Sequence, residues 1–325
     1  MAQPFKGYEV AARLRPSAGA YTFDLEPALA SVVALESSIP PQAYTAKGLG
    51  TGRIGNGIVI GAGGLVLTMS YLVFEAERVS LTPNDGESVP AQVLGTDTVS
   101  GFGLVQALEP LGAPPLPLGE SRKLAAGDPV VVAGAGGRDH ALAGQVLARM
   151  SFAGYWEYLV DGAIITGQAH PHWSGAALIS NQGQLVGVGS LTLEGRARGG
   201  RRRPINMFVP TELLMPILED LTRGRRPHPA RPWLGVLAQE ARGEVVVAGV
   251  SPGGPASRAE LRAGDAILAV AGAQVQELAG FYTRLWAVGP AGVVIPLTVR
   301  REGDVFDLEV RSMDRDVLLQ RPRYN

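Results

Sequence analysis

The sequence predicts a mostly-β protein. Apolar residues make up 46% of the 325-residue chain, enough to fill sizeable cores. They fall in many short runs, and 43 glycines and 24 prolines punctuate those runs as turn residues do. Two or three domains are expected at this length.

In chain order, the candidate strands are SVVALESS (31–38), GNGIVIG (55–61), LVLTMS (65–70), RVSLTP (78–83), PAQVLGTD (90–97) and GFGLVQAL (101–108). A second set begins near GDPVVVAGAGG (127–137). It continues through LAGQVLARMSF (142–152), YWEYLVDG (155–162), AALISNQGQLVGVGSLTL (176–193) and INMFVP (205–210). Asn181-Gln182-Gly183 reads as a hairpin turn inside the fourth of these. Residues 211–223, TELLMPILEDLTR, predict a helix capped by Thr211. The basic, proline-rich GRRPHPARP (224–232) reads as a linker.

Residues 54–74 carry no charge and are long enough to span a bilayer. Gly61-Ala62-Gly63-Gly64 breaks the run, so two buried strands are expected and no membrane span. Neither GAGG run, at 61–64 or 134–137, is followed by the Lys-Ser/Thr of a phosphate loop. A formal net charge of −1 gives no general tuning for nucleic acid. The absence of cysteine excludes disulfides and thiol chemistry.

Three segments carry a family resemblance. LVLTMSYLV (65–73) resembles the "(I/V)(V/L)TNxHV(V/L)" stretch of HtrA-type serine proteases, with Tyr71 at the position of the catalytic histidine. GTDTVSGFGLVQAL (95–108) resembles "GTDPxTDLAVLKV", with Gly101 at the position of the orienting aspartate. HPHWSGAALISNQGQLVGV (170–188) resembles "NPGNSGGPLLNxxGxVIGI", with Ser174 at the nucleophile. After the linker, WLGV, VSPGGPASRAELRAGDAILAVAG and PLTVRREG resemble a PDZ domain.

The resemblance implies a trypsin-like double β-barrel over residues 27–222, with a closing helix at 211–223. A linker at 223–231, a PDZ domain at 232–312 and a tail at 313–325 would follow. The HtrA/DegP-like chain would then be a pseudo-protease, working as a scaffold, assembly factor or chaperone through PDZ-mediated peptide binding. The alternative is a serine endopeptidase that uses Ser174 with a non-standard base.

The chemistry favours the first reading. Serine needs a neighbouring base to take its proton. Tyrosine titrates near 10 and glycine orients nothing. The resemblance places an oxyanion-hole N–H at His172, where the family has glycine, followed by Trp173 in place of asparagine. His170 and His172 are weak metal candidates, since two ligands do not make a site. Neither metal nor cofactor is expected, and exposed loop histidines are.

The resemblance also implies a partner. Trp233-Leu234-Gly235-Val236 would offer N–H groups to a peptide's terminal carboxylate, with Leu234 and Val236 lining the pocket for an apolar last residue. Phe5, Tyr8, Tyr21 and Phe23, in the segment 1–26, would cover another subunit and make a homo-oligomer, a trimer in the family manner. Arg196, Arg198, Arg201, Arg202 and Arg203 form a basic loop, read as solvated or as a dock for an acidic partner. The N-terminus shows no apolar run or cleavage pattern. That points to the cytoplasm, or to the periplasm if a signal peptide has been removed.

Overall fold

The computed structural model describes residues 5, 7–84, 86–196 and 200–320. The chain divides into two compact units. The first comprises Met1–Met150, Gly162–Pro227 and Leu319–Asn325; the second comprises Ser151–Asp161 and His228–Leu318.

The first unit opens with α1 (Leu25–Ala30), β1 (Val32–Ser38), α2 (Ala46–Leu49), β2 (Gly52–Gly61), β3 (Leu65–Met69), α3 (Ser70–Val73), β4 (Arg78–Thr82), β5 (Val89–Thr96) and β6 (Phe102–Ala107). These strands close into a barrel in the order β1-β2-β3-β6-β5-β4. Alternate positions supply the core: Val33 and Leu35 from β1 meet Val59, Val66, Leu81 and Val105.

A second closed barrel follows from β7 (Pro129–Ala133), β8 (Ala141–Gly154), β9 (Tyr158–Thr166), β10 (Ala177–Ser180), β11 (Leu185–Arg196) and β12 (Arg202–Pro210). Its order is β10-β11-β12-β9-β8-β7, around Val130, Val132, Ile164, Leu178 and Phe208. Residues 54–74 are β2, β3 and α3. No helix among the described residues is long and apolar enough to cross a membrane.

Two local expectations need correction. Residues 211–223 do not form one helix. A 3-10 turn at Thr211–Leu213 is followed, past Pro216, by α4 (Leu218–Thr222). Proline removes a backbone donor and clashes with the preceding turn. The Thr211 hydroxyl donates to the Gly119 carbonyl at 2.9 Å instead of capping. The stretch 155–162 does not start as a strand: Tyr155, Trp156 and Glu157 are the turn between β8 and β9, and they belong to the second unit.

The second unit contains β13 (Val236–Ala241), β14 (Glu244–Val250), α5 (Pro255–Arg258), β15 (Ala266–Val270), β16 (Ala273–Gln274), α6 (Leu278–Ala287), β17 (Val294–Arg301) and β18 (Asp304–Arg311). The sheet runs β13-β14-β15-β17-β18, with β16 paired to β15. In α6 the buried residues are Leu278, Phe281, Tyr282 and Leu285, one face of a 3.6-residue repeat. They pack on Leu234, Val236, Ile267 and Leu297. At the start of α6, the Leu278 N–H donates to Glu240 Oε1 at 2.9 Å.

Candidate functional site

Tyr71 sits in α3, a single turn that follows β3. The Gly101 carbonyl accepts the Ser70 N–H at 2.7 Å and so anchors the turn's start. Arg53, 5% exposed, holds its far end: Nη1 donates to the carbonyls of Tyr71 at 2.7 Å and Phe74 at 3.1 Å. Burial pulls that guanidinium down to about 10, and Glu75 pulls the other way.

Held so, the Tyr71 hydroxyl lies 2.8 Å from Ser174 Oγ and donates to the Ser190 carbonyl at 3.1 Å. Ser190 is the extra residue of a bulge where the β11–β12 register shifts between Gly189 and Leu191. With its proton directed at Ser190, the phenol oxygen is left to accept from Ser174. Burial pushes the Tyr71 phenol above its ordinary value, and the bond to Ser174 only partly offsets this. The group beside the serine is thus harder to ionise than free tyrosine, the reverse of what a general base needs.

Gly101, expected at the orienting position, has a φ of 84°, a conformation that glycine adopts freely and a side chain resists. It contributes its carbonyl to Ser70 and its N–H to the Asp97 carbonyl at 2.9 Å.

The loop before β10 is pinned from several sides. Gly175 has a φ of 73°, and a Cβ there would lie 2.1 Å from the Asn56 carbonyl oxygen. Asn56, fully buried in β2, donates through Nδ2 to the carbonyls of His172 at 2.9 Å and Ser174 at 2.8 Å. Its Oδ1 accepts the Ala135 N–H at 2.8 Å.

The His172 N–H, the position of the expected oxyanion donor, donates to His170 Nδ1 at 3.0 Å. His170 Nε2 faces the His140 carbonyl at 2.8 Å, so the ring carries its proton on Nε2 and leaves Nδ1 bare. Burial drives His170 down to about 4.

These histidines are not exposed loop residues: His170 is fully buried and His140 is 4% exposed. His170 uses both ring nitrogens on backbone groups. Among the described residues no three His, Asp or Glu side chains group to hold a metal. The His172 ring is half-buried, with Phe5 at 4.3 Å and Tyr8 edge-on at 4.6 Å. Phe5 therefore covers its own chain, contrary to the expectation that it covers a second subunit. Tyr8 remains exposed, and Tyr21 and Phe23 lie against each other at 5.5 Å. Of the arginine loop, Arg198 and the Arg196 side chain lie outside the described residues; Arg202 pairs with Glu194.

In the second unit the N–H groups of Leu234, Gly235 and Val236 converge, with Gly235 at a φ of 76° permitting the turn. All three point at one carboxylate. Glu157 Oε1 accepts from Gly235 at 2.7 Å and Val236 at 2.8 Å, and Oε2 accepts from Leu234 at 3.0 Å. Glu157 is 8% exposed, and burial pushes its carboxyl up to about 7 against the pull of those N–H groups. Trp233 is not a fourth donor, because its N–H goes to the Met313 carbonyl at 3.0 Å. Leu234 and Val236 are core residues of the unit.

Sequence comparison bears on both units. Residues 55–188 match the trypsin-like peptidase domain and residues 232–311 match the PDZ domain. The chain thus carries a trypsin-like peptidase domain and a PDZ domain, and the curated proteins it resembles include DegP-like endoproteases. It is 28% identical over 296 residues to a DegP-like periplasmic serine endoprotease of Pseudomonas fulva, covering 85% of this chain and 60% of that one. It is 26% identical over 277 residues to the periplasmic pH-dependent serine endoprotease DegQ of Escherichia coli, covering 79% and 58%. The chain thus spans a little more than half the length of these curated relatives.

Among solved structures, the HtrA-type protease AlgW with decapeptide superposes with a TM-score of 0.54 at 21% identity, over 92% of this chain and 98% of that one. A serine endoprotease from Yersinia pestis gives 0.51 at 21%, over 90% and 99%. Both confirm the fold, a trypsin-like domain followed by a PDZ domain.

Sequence reasoning missed Arg53, Asn56 and Glu157. A signal for Asn56 was present: an amide inside the otherwise apolar, glycine-flanked GNGIVIG run demands partners if that strand is buried.

Proposed function

We propose that this chain is an HtrA-type protein that binds other proteins without cleaving them. The Tyr71–Ser174 contact carries the reading. The serine keeps its place, but its 2.8 Å partner is a phenol that burial makes less acidic. Gly101 supplies no carboxylate, and the His172 N–H is engaged by His170. Base, orienting acid and oxyanion donor are each altered, and in a serine protease these parts act as a unit.

Binding would reside in the PDZ domain, whose loop at Leu234, Gly235 and Val236 gathers three N–H groups on a carboxylate. A scaffold, assembly or chaperone role follows from such a module on a silent protease fold, and self-association is part of the same reading. The names of the relatives support a periplasmic setting and not the cytoplasmic one the N-terminus suggested.

The rival reading, a serine endopeptidase with Ser174 as nucleophile, draws on the relatives named as endoproteases. Casein cleavage by the wild type against Ser174→Ala separates the two. Equal, background-level rates are expected. Cleavage by the wild type above that blank would mean that Ser174 has a working base.

A further inference from the structure

We propose that the tip of the β8–β9 hairpin, Tyr155-Trp156-Glu157, is a built-in ligand of the PDZ groove, and that a peptide carboxylate enters only by displacing it. The proposal rests on the reading of that groove as a peptide site.

The chemistry of the contact is that of a terminal carboxylate. The oxygens of Glu157 are held by backbone N–H groups of Leu234, Gly235 and Val236, with the charge of Arg315 acting on the carboxylate as well. Charge-assisted bonds of this kind are what a carboxylate-binding loop offers an incoming chain end.

The register of the backbone agrees. The Tyr155 carbonyl accepts the Ala238 N–H at 2.8 Å. Tyr155 lies two residues before Glu157, and Ala238 lies two residues after Val236. A peptide added as a strand beside β13 pairs at that two-residue spacing. β13 ends the sheet order, so its outer edge is open to such a strand.

The opposite wall is engaged as well. The Tyr282 hydroxyl, on α6, donates to the Gly154 carbonyl at 2.7 Å and accepts the Glu157 N–H at 3.2 Å. Trp156 stacks on Tyr158 at 5.5 Å, and Ala153 and Leu159 pack against the core of the unit.

Backbone conformation supplies an independent argument. Glu157 closes a three-residue hairpin turn at a φ of 57°. Glycine is favoured at that place in such turns, and a residue with a Cβ is strained there. Glutamate at the strained position is explained by what its carboxylate reaches.

A ligand tethered this way competes at an effective concentration in roughly the millimolar range. A free peptide therefore meets a groove that is mostly filled, and its apparent affinity falls by the fraction of molecules with the tip withdrawn.

The test uses the full chain as wild type, Glu157→Gly and Glu157→Gln. Glycine suits the turn while removing the carboxylate, so the variant opens the groove without breaking the hairpin. Glutamine keeps the shape and one acceptor. Two readouts are taken: hydrogen exchange at the amides of Gly235, Val236 and Ala238, and binding of a fluorescein-labelled pool of decapeptides ending in Val, Leu, Ile or Phe, with amidated peptides as control.

The expected result is protected amides in the wild type and fast exchange in Glu157→Gly. Free-carboxylate peptides should bind Glu157→Gly at least about tenfold more tightly than wild type, with a smaller gain for Glu157→Gln and none for amidated peptides. Unprotected amides in the wild type overturn the proposal. So does a Glu157→Gly protein that matches wild type in exchange and affinity. If exchange opens in Glu157→Gly but no protein binds the pool, the built-in ligand stands and the peptide reading of the groove falls.

Discussion

The Ser174 loop and the Leu234–Val236 loop use their backbone N–H groups differently. At Ser174 the N–H of His172 is turned onto a neighbouring imidazole, and the hydroxyl beside the serine is that of Tyr71. At Leu234–Val236 the donors still converge, and a carboxylate fills them. Catalysis needs particular side chains at particular pKa values, so on the proposed reading a few substitutions are enough to silence it. Recognition by backbone needs only the loop's shape, which Gly235 and the surrounding core continue to specify.

The largest effect expected from breaking this contrast is a failure to repair the first site. Tyr71→His with Gly101→Asp restores base and acid in name. The new aspartate must adopt the φ of 84° that Gly101 holds, and the His172 N–H stays on His170. One missing oxyanion donor alone costs about 10²–10³ in kcat. The double variant should therefore remain at background against casein, and adding His172→Gly and Trp173→Asn should raise the rate more than either pair does alone. A double variant that cleaves as fast as the quadruple one would show that the His172 turn is no obstacle.

A smaller effect sharpens the same contrast through pH. His170 accepts the His172 N–H only while neutral. Its folded value of about 4 lies below the ordinary 6.5, so the fold holds less proton than the unfolded chain between those values. Its contribution is complete above pH 6.5 and is lost as pH falls towards 4, by about 3 kcal/mol at the acid limit. Denaturant midpoints across that range should decline in the wild type and decline less in His170→Gln. Parallel slopes for the two proteins would remove His170 from the account.

Much of the fold was legible in the sequence because punctuated apolar runs and turn signals are local. The strands of both barrels lie largely where those runs lie, and the PDZ-like sheet lies in the region that carries that resemblance. What was misread depended on distant partners or on one local conflict. Pro216 inside an otherwise helical pattern broke the helix at 211–223. His170 looks like a loop residue until Asn206 Oδ1, at 2.6 Å from its N–H, and the His140 carbonyl are seen to bury it. That Tyr71 lies beside Ser174 agrees with the motifs around them, yet the engagement of the His172 N–H could not be read there, since it depends on which way one N–H points. Glu157 lies 77 residues from the loop it fills, and nothing in YWEYLVDG marks a charge destined for burial.

The most direct test of the central claim is labelling of Ser174 with a fluorophosphonate, read as modified peptide by mass spectrometry, with Ser174→Ala as the blank. A serine without a base should take up no label above that blank, from pH 6 to pH 9 on about the timescale at which an active relative is fully labelled. Stoichiometric modification at Ser174 would show an activated nucleophile and contradict the account.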